Sequence, residues 1–151
     1  MPTCVPFINP LSVIYSAAFS YSLSKNGPFR SEPYTFTNAG ETSLWYRVSA
    51  ANYDDFVHEA RVTILPREVT LTSGSASRYY NGEPLTCESF VVSGDGLLGA
   101  DGVEVSYSGS QTNPGAADNV FSYVFNEGTV PDNYSITKKY GKLEVWALKK
   151  M

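Results

Sequence analysis

Few residues in this chain have the chemistry of a catalyst. His58 is the single histidine. A Ser-His-Asp relay needs a histidine oriented by an acid and set beside an exposed serine. His58 instead stands between Val57 and Glu59 in a strand-like run, with no G-x-S-x-G nucleophile motif nearby. It reads as a surface strand histidine. Gly94-Asp95-Gly96-Leu97-Leu98-Gly99 fits the pattern G-x-G-x-x-G. A dinucleotide site requires a helix opening there, so that its N-terminal amides face the pyrophosphate. A strand is expected from about Val103, which leaves room only for a loop. Without a grouped base, nucleophile and acid, the chain reads as no enzyme.

Metal chemistry has equally little to work with. Asp95 and Asp101, with Asp54, Asp55 and Glu59 elsewhere, are the carboxylates that suggest calcium. Calcium takes about six to eight oxygens, often from closely spaced carboxylates. The Asp95–Asp101 loop lacks the alternating acidic positions of an EF-hand, so solvated turn carboxylates are the simpler reading. A weak Ca²⁺ site between modules is the one cofactor left open. One histidine and two distant cysteines argue against structural zinc.

Binding is better represented than catalysis. Tyr79, Tyr80, Tyr107, Tyr134 and Trp146 could form a platform, since sugar rings stack on aromatic faces. The simpler alternative has Tyr80 and Tyr134 packing over their own turns, with Trp146 closing the core or an interface to a next module. Asn133-Tyr134-Ser135 fits the N-glycosylation pattern. Asn52-Tyr53 repeats the pair without a following serine or threonine, so the shared pair reads as structural. Its asparagine would tolerate an unusual backbone angle and hydrogen-bond its own turn.

Composition narrows the partners. The chain has 151 residues, a net charge of -4 and only eleven scattered basic residues. Lys149-Lys150, with Lys142 nearby, form the one small cluster. Nucleic-acid binding normally needs a basic face, which is not evident here. No apolar run approaches the ~20 residues that span a bilayer, which argues against membrane insertion. Leu11 to Phe19 is too short and follows prolines and no basic residue, so it does not read as a signal peptide. Cys4 and Cys87 are too few for a disulfide framework. Free thiols or a single bridge both fit, because sequence does not show their proximity.

The elements that must position these residues read as strands. Phe19, Tyr21 and Leu23 alternate with serines, which predicts one buried and one wet face. Asn26-Gly27 is the favoured type I′ pair. Leu44, Tyr46 and Val48 share one face of the next strand. Trp45 and Arg47 share the other, where the guanidinium is expected to lie against the indole. Phe56 to Leu65 returns as a strand. Val69 to Thr72, Phe90 to Val92, Val103 to Tyr107 and Val120 to Phe125 follow. Asn133 to Tyr140 and Lys142 to Trp146 are expected to form a closing hairpin around Gly141. With no amphipathic helical stretch of ten residues, the pattern predicts an all-β chain.

One stretch occurs twice. Thr37-Asn38-Ala39-Gly40 is matched by Thr112-Asn113-Pro114-Gly115, 75 positions later. Asn52-Tyr53 is matched by Asn133-Tyr134, and Arg61 to Ile64 by Lys142 to Val145, both 81 positions later. Such a repeat predicts two tandem small antiparallel β modules, residues 1–66 and 67–151. An Ig-like sandwich is the first choice of fold, and a β-grasp-like sheet the alternative. The junction Pro66-Arg67-Glu68 is short and φ-restricted, so consecutive modules should be semi-rigid.

At the repeated stretch the sequence resembles the bacterial surface repeats called MBG-type or YDG-type modules. The second half carries the resemblance most fully. It has a valine-rich opening strand, Tyr80-Asn81-Gly82 with Pro84-Leu85, the loop Gly94 to Gly102, Asn113-Pro114-Gly115, Asn133-Tyr134 and Gly141-Lys142-Leu143-Glu144-Val145. The first half is similar from about Tyr21, without the opening strand and Tyr-Asn-Gly turn. The resemblance implies a spacer or stalk segment of an extracellular, cell-surface or secreted bacterial protein, with neighbouring repeat modules as partners and no catalytic residues. An adhesin-like module binding host glycan or protein is the alternative.

Overall fold

The computed structural model describes residues 17–149. The lead-in 1–10, the strand expected at Val13-Ile14-Tyr15, and Cys4 lie outside the described residues. The chain forms two compact units that divide between Ile64 and Leu65. Both are built from β-strands, and the fold is all-β and sandwich-like. Among the described residues there is no α-helix of the kind a β-grasp sheet requires.

The first unit is an antiparallel sheet of three strands, β1 (Ala18–Ser22), β2 (Gly40–Ser49) and β3 (Phe56–Ile64), in the order β1-β2-β3. Directly opposed residues share a face. Tyr21, Tyr46 and His58 are therefore neighbours across the sheet, as are Phe19, Val48 and Phe56. Among its described residues this unit buries no apolar side chain, and its buried residue is Ser22.

The expected alternation in β1 is thus reversed. Phe19 and Leu23 are 55% and 53% exposed, and Ser22 is covered. The chain turns back after Ser22, with the Gly27 amide donating to the Ser24 carbonyl at 3.1 Å. Arg30 then exchanges both backbone hydrogen bonds with Tyr21. Ser22 is tolerated inside this fold-back because its Oγ accepts the Ser24 amide at 3.0 Å. Asn26 does not take the positive φ that a type I′ turn demands. Arg47 also departs from expectation. Its guanidinium carbon lies 4.7 Å from the Phe29 ring centroid rather than on Trp45, and its Nε donates to Ser20 Oγ at 3.2 Å.

The second unit contains β4 (Arg67–Ser73), β5 (Ala76–Tyr79), β6 (Phe90–Gly94), β7 (Val103–Tyr107), β8 (Gly115–Asp118), β9 (Phe121–Phe125), β10 (Tyr134–Lys139) and β11 (Lys142–Trp146). They assemble as β10-β4-β6, β5-β11-β8 and β7-β9. Two pairings are parallel, β10 with β4 and β11 with β5, so the antiparallel expectation holds only in part. The closing hairpin around Gly141 is also corrected, because β10 and β11 belong to different sheets.

These parallel pairs are one ladder with a corner in it. Tyr134 faces Arg67 and Trp146 faces Tyr79, a separation of 67 positions at both ends. Between them the ladder is interrupted at Gly74 and Gly141, and side chains take over its hydrogen bonds. Ser73 Oγ accepts the Gly141 amide at 3.0 Å, and Ser75 Oγ accepts the Lys142 amide at 2.9 Å. Asn119, fully buried, bridges the corner by donating from Nδ2 to the Gly74 and Cys87 carbonyls at 2.9 and 2.8 Å. A Cβ at position 141 would lie 2.2 Å from the Gly74 carbonyl oxygen, so the corner requires glycine there. Strands that bend in this way carry one chain from sheet to sheet and form the corners of a sandwich.

The apolar payload follows. Val69, Leu71, Phe121 and Tyr134 form the main core, between β10-β4-β6 and β7-β9. Leu85, Leu143 and Val145 form a second cluster with Ala76 and Cys87. Fully burying a side chain of this size contributes about 1.5–3 kcal/mol.

The sequence repeat is also a repeat of pairing. Gly40 opens β2 with φ +143° and faces Ile64, the last residue of β3. Gly115 opens β8 with φ +145° and faces Val145 near the end of β11. Each later pair then corresponds: Thr42–Val62 with Ala117–Leu143, and Ser43–Arg61 with Asp118–Lys142. Beyond that point the copies diverge. The first continues as a straight hairpin to Val48–Phe56, and the second splits at Asn119 and Gly141.

Candidate functional site

The aromatic side chains separate into an exposed pair and a buried set. Tyr79 and Trp146 end β5 and β11 as direct partners, with rings 5.4 Å apart in an edge-to-face arrangement. They are 58% and 41% exposed. Tyr80 follows at once, its amide donating to the Trp146 carbonyl at 2.8 Å, and its side chain is exposed. The fold thus gathers three of the five candidate residues at one end of the β5-β11-β8 sheet.

Tyr107 and Tyr134 are elsewhere. Tyr107 is half-buried against the main core, and Tyr134 is part of that core. Tyr134 donates its hydroxyl hydrogen to Asp101 Oδ2 and accepts the Leu98 amide at 3.0 Å, so it fastens the 95–101 loop to β10. The hydrogen bond to Asp101 and then burial raise its pKa above the usual phenol range, opposed by the Leu98 amide and Arg67. Burial, followed by the Cys87 and Glu88 charges, raises Tyr107 in the same direction.

The loop of the glycine motif is a loop in the structure as well, with positive φ at Gly94, Gly96 and Gly99. Its acids are engaged by the chain itself. Asp95 Oδ2 accepts the Glu68 amide at 2.9 Å, while Arg67 donates to the Asp95 and Gly96 carbonyls. Asp55 lies 3.9 Å from the Arg47 guanidinium, and Glu59 accepts from Ser43 Oγ. Among the described residues, no group of three or more His, Cys, Asp or Glu side chains could hold a metal ion. Cys87 is a free thiol, 3.2 Å from Ser89 Oγ.

Sequence reasoning did not find a cluster on the first unit's sheet. His58 stacks on Phe56 with ring centroids 5.8 Å apart, and meets Tyr46 edge-on at the same separation. The signal was available in the alternation of Phe56 and His58 along β3, but it required the β2–β3 register to place Tyr46 opposite. The Asn-Tyr pairs, by contrast, are not equivalent. Asn52 has φ +69° and precedes an exposed Tyr53, as its turn role predicts. Asn133 ends a 3₁₀ turn, Pro131–Asn133, and precedes the buried Tyr134. A concavity of about 410 Å³ lies between the 35–42 segment and β3, with Val62 and Ile64 in its wall.

Compared with protein-family models, with curated proteins and with solved structures, the chain matches none.

Proposed function

We propose that the chain is a non-catalytic structural segment, two related β modules in series that space or present other parts of an extracellular bacterial surface protein of the MBG/YDG-like kind. The observation that carries this reading is the repeated register. The same glycine-opened strand pair is laid down twice, Gly40–Ile64 and Gly115–Val145. A chain that duplicates its scaffold gains length and a regular presentation of surfaces. The polar side chains at the corner, Ser73, Ser75 and Asn119, also serve the backbone. Neighbouring repeat modules are its natural partners.

The test is where the native protein resides. Protease treatment of intact cells of the source organism should release peptides of this chain, and its gene should encode further repeats and an export signal. Recovery solely from the cytoplasmic fraction, with a gene encoding neither, contradicts the reading.

A second reading, adhesion to host glycan or protein, is favoured by the exposed Tyr79–Trp146 pair. An edge-to-face pair at a sheet end offers an apolar surface to one face of a sugar ring. A glycan array and a mucin-binding assay test it. Signal lost in Trp146→Ala supports adhesion, and no signal removes the glycan version.

A further inference from the structure

Four places in the chain set a glycine directly after an asparagine or aspartate: Asn26-Gly27, Asn81-Gly82, Asp95-Gly96 and Asp101-Gly102. In such a pair the backbone nitrogen can attack the preceding side chain, because glycine has no Cβ to screen it. Ring closure needs a leaving group on the side chain, a nitrogen free of hydrogen bonds, and room to move. The fold grants these unequally.

The two aspartates lack the first requirement, since an ionised carboxylate is a poor electrophile with no ammonia to expel. Both are also engaged: Asp95 Oδ2 accepts the Glu68 amide at 2.9 Å, and Asp101 Oδ2 accepts the Tyr134 hydroxyl. The Gly102 amide donates to Thr129 Oγ1 at 3.1 Å. Asn26 has the leaving group, but the Gly27 amide donates to the Ser24 carbonyl at 3.1 Å. The Phe29 ring crowds that glycine, 3.0 Å from where a Cβ would stand.

Asn81-Gly82 meets every requirement. Both residues are exposed. Gly82 has φ +84°, and nothing lies within 4 Å of where its Cβ would be. Among the described residues no hydrogen bond engages its amide. Asn81 Oδ1 accepts the Glu83 amide at 3.0 Å. That donor draws electrons from Cγ and stabilises the negative charge that gathers on Oδ1 when a nucleophile adds. The Glu83 carbonyl is held in turn by the Arg78 guanidinium, which anchors the donating residue.

We propose that Asn81 is a self-modification site, converted without an enzyme to aspartate and isoaspartate. The Gly82 nitrogen gives up its proton and bonds to Asn81 Cγ. The bond from Cγ to the side-chain nitrogen breaks, and ammonia leaves with that proton. Water then opens the cyclic imide. Opening at the side-chain carbonyl gives aspartate, and opening at the main-chain carbonyl gives isoaspartate. Either product adds a negative charge to a chain whose net charge is -4. Isoaspartate also lengthens the main chain by one carbon in the segment that carries Leu85 to Leu143 and Val145. The inference is independent of the cell-surface reading.

The test is to age the chain in mildly alkaline buffer, folded and in urea, at one pH and temperature. Peptide mapping with fragmentation that separates aspartate from isoaspartate follows each site over time. In the folded chain Asn81 should convert first, at a rate close to its rate in urea. Folding should slow Asn26 about fivefold, the factor set by the one hydrogen bond that its neighbour must break. Early ammonia release should vanish in Asn81→Gln, an exposed change that leaves the core untouched. The proposal is overturned if folding slows Asn81 as much as Asn26, or if Asn26, Asp95 or Asp101 changes first. Undiminished ammonia release from Asn81→Gln overturns it as well.

Discussion

The two units share a strand register and differ in what they do with it. In the first, β2 and β3 run side by side over nine pairs and leave Tyr46, Phe56 and His58 on an open sheet face. In the second, the corresponding pair lasts four positions and then splits at Asn119 and Gly141, sending β9 and β10 to other sheets. The split creates an interior. Every buried apolar residue among those described belongs to the second unit. A buried asparagine, two serines and a glycine at the corner thus convert a hairpin into a core-bearing module. A sheet with no covered apolar face has little to hold it, whereas a packed one gains about 25 cal/mol per Å² of apolar surface removed from water.

The contrast makes graded predictions. Phe121→Ala or Leu143→Ala should cost the second unit about 2–5 kcal/mol in chemical denaturation, through lost burial and a cavity. Val62→Ala, at the position equivalent to Leu143, should cost far less; equal losses would mean that the first unit has a comparable core. Next comes the corner. Asn119→Ala leaves the Gly74 and Cys87 carbonyls without their donor, a penalty of about 1–3 kcal/mol. The equivalent first-unit substitution, Leu44→Ala, breaks no hydrogen bond of that kind.

The glycines test the likeness rather than the difference. Gly40 and Gly115 share an unusual φ, so alanine should cost each unit a similar amount, about 1–3 kcal/mol. A tolerated alanine at one site only would end the claim that the turns are equivalent.

Alkaline pH should act on the second unit through Tyr134. Its pKa is raised in the fold, so its contribution is complete below pH ~10, the unfolded value, and is lost as pH climbs through the raised value. Tyr134→Phe should flatten part of that decline, with Tyr107 supplying the rest. A pH titration of denaturation midpoints reads this directly, and an unchanged alkaline slope in Tyr134→Phe contradicts it. Smallest of all are the exposed pairs Arg61–Glu41 and Lys142–Asp118, whose basic members stand at corresponding places in the two hairpins while their acids do not. Neutralising either should move stability by no more than about 1 kcal/mol, and less in high salt.

Much of this was legible in the residues. An Asn-x-Gly turn before a strand marks a positive φ, and two such turns with matched closing strands announced the repeat. Alternation located most strands but not their partners. Nothing in Lys142 to Trp146 says that Ala76 to Tyr79 will lie parallel to it, because periodicity reports faces and not neighbours. Gly141 looked like a hairpin turn since a glycine between two strands usually is one. Its actual role follows from Gly74, Ser73 and Ser75, which lie opposite in a ladder invisible to local reading. Tyr134 is one of the five candidates for an aromatic platform, with packing over its own turn the simpler alternative, and it lies in the main core. Its alternation with Ile136 pointed inward.

Native-state hydrogen exchange on the free chain tests the central contrast most directly. The slowest amides should lie in β4, β8, β10 and β11, with those shared between β2 and β3 opening at markedly lower free energy. Protection of the β2–β3 ladder equal to that of β8–β11 would contradict the account, because it would mean that one register supports two cores of the same strength.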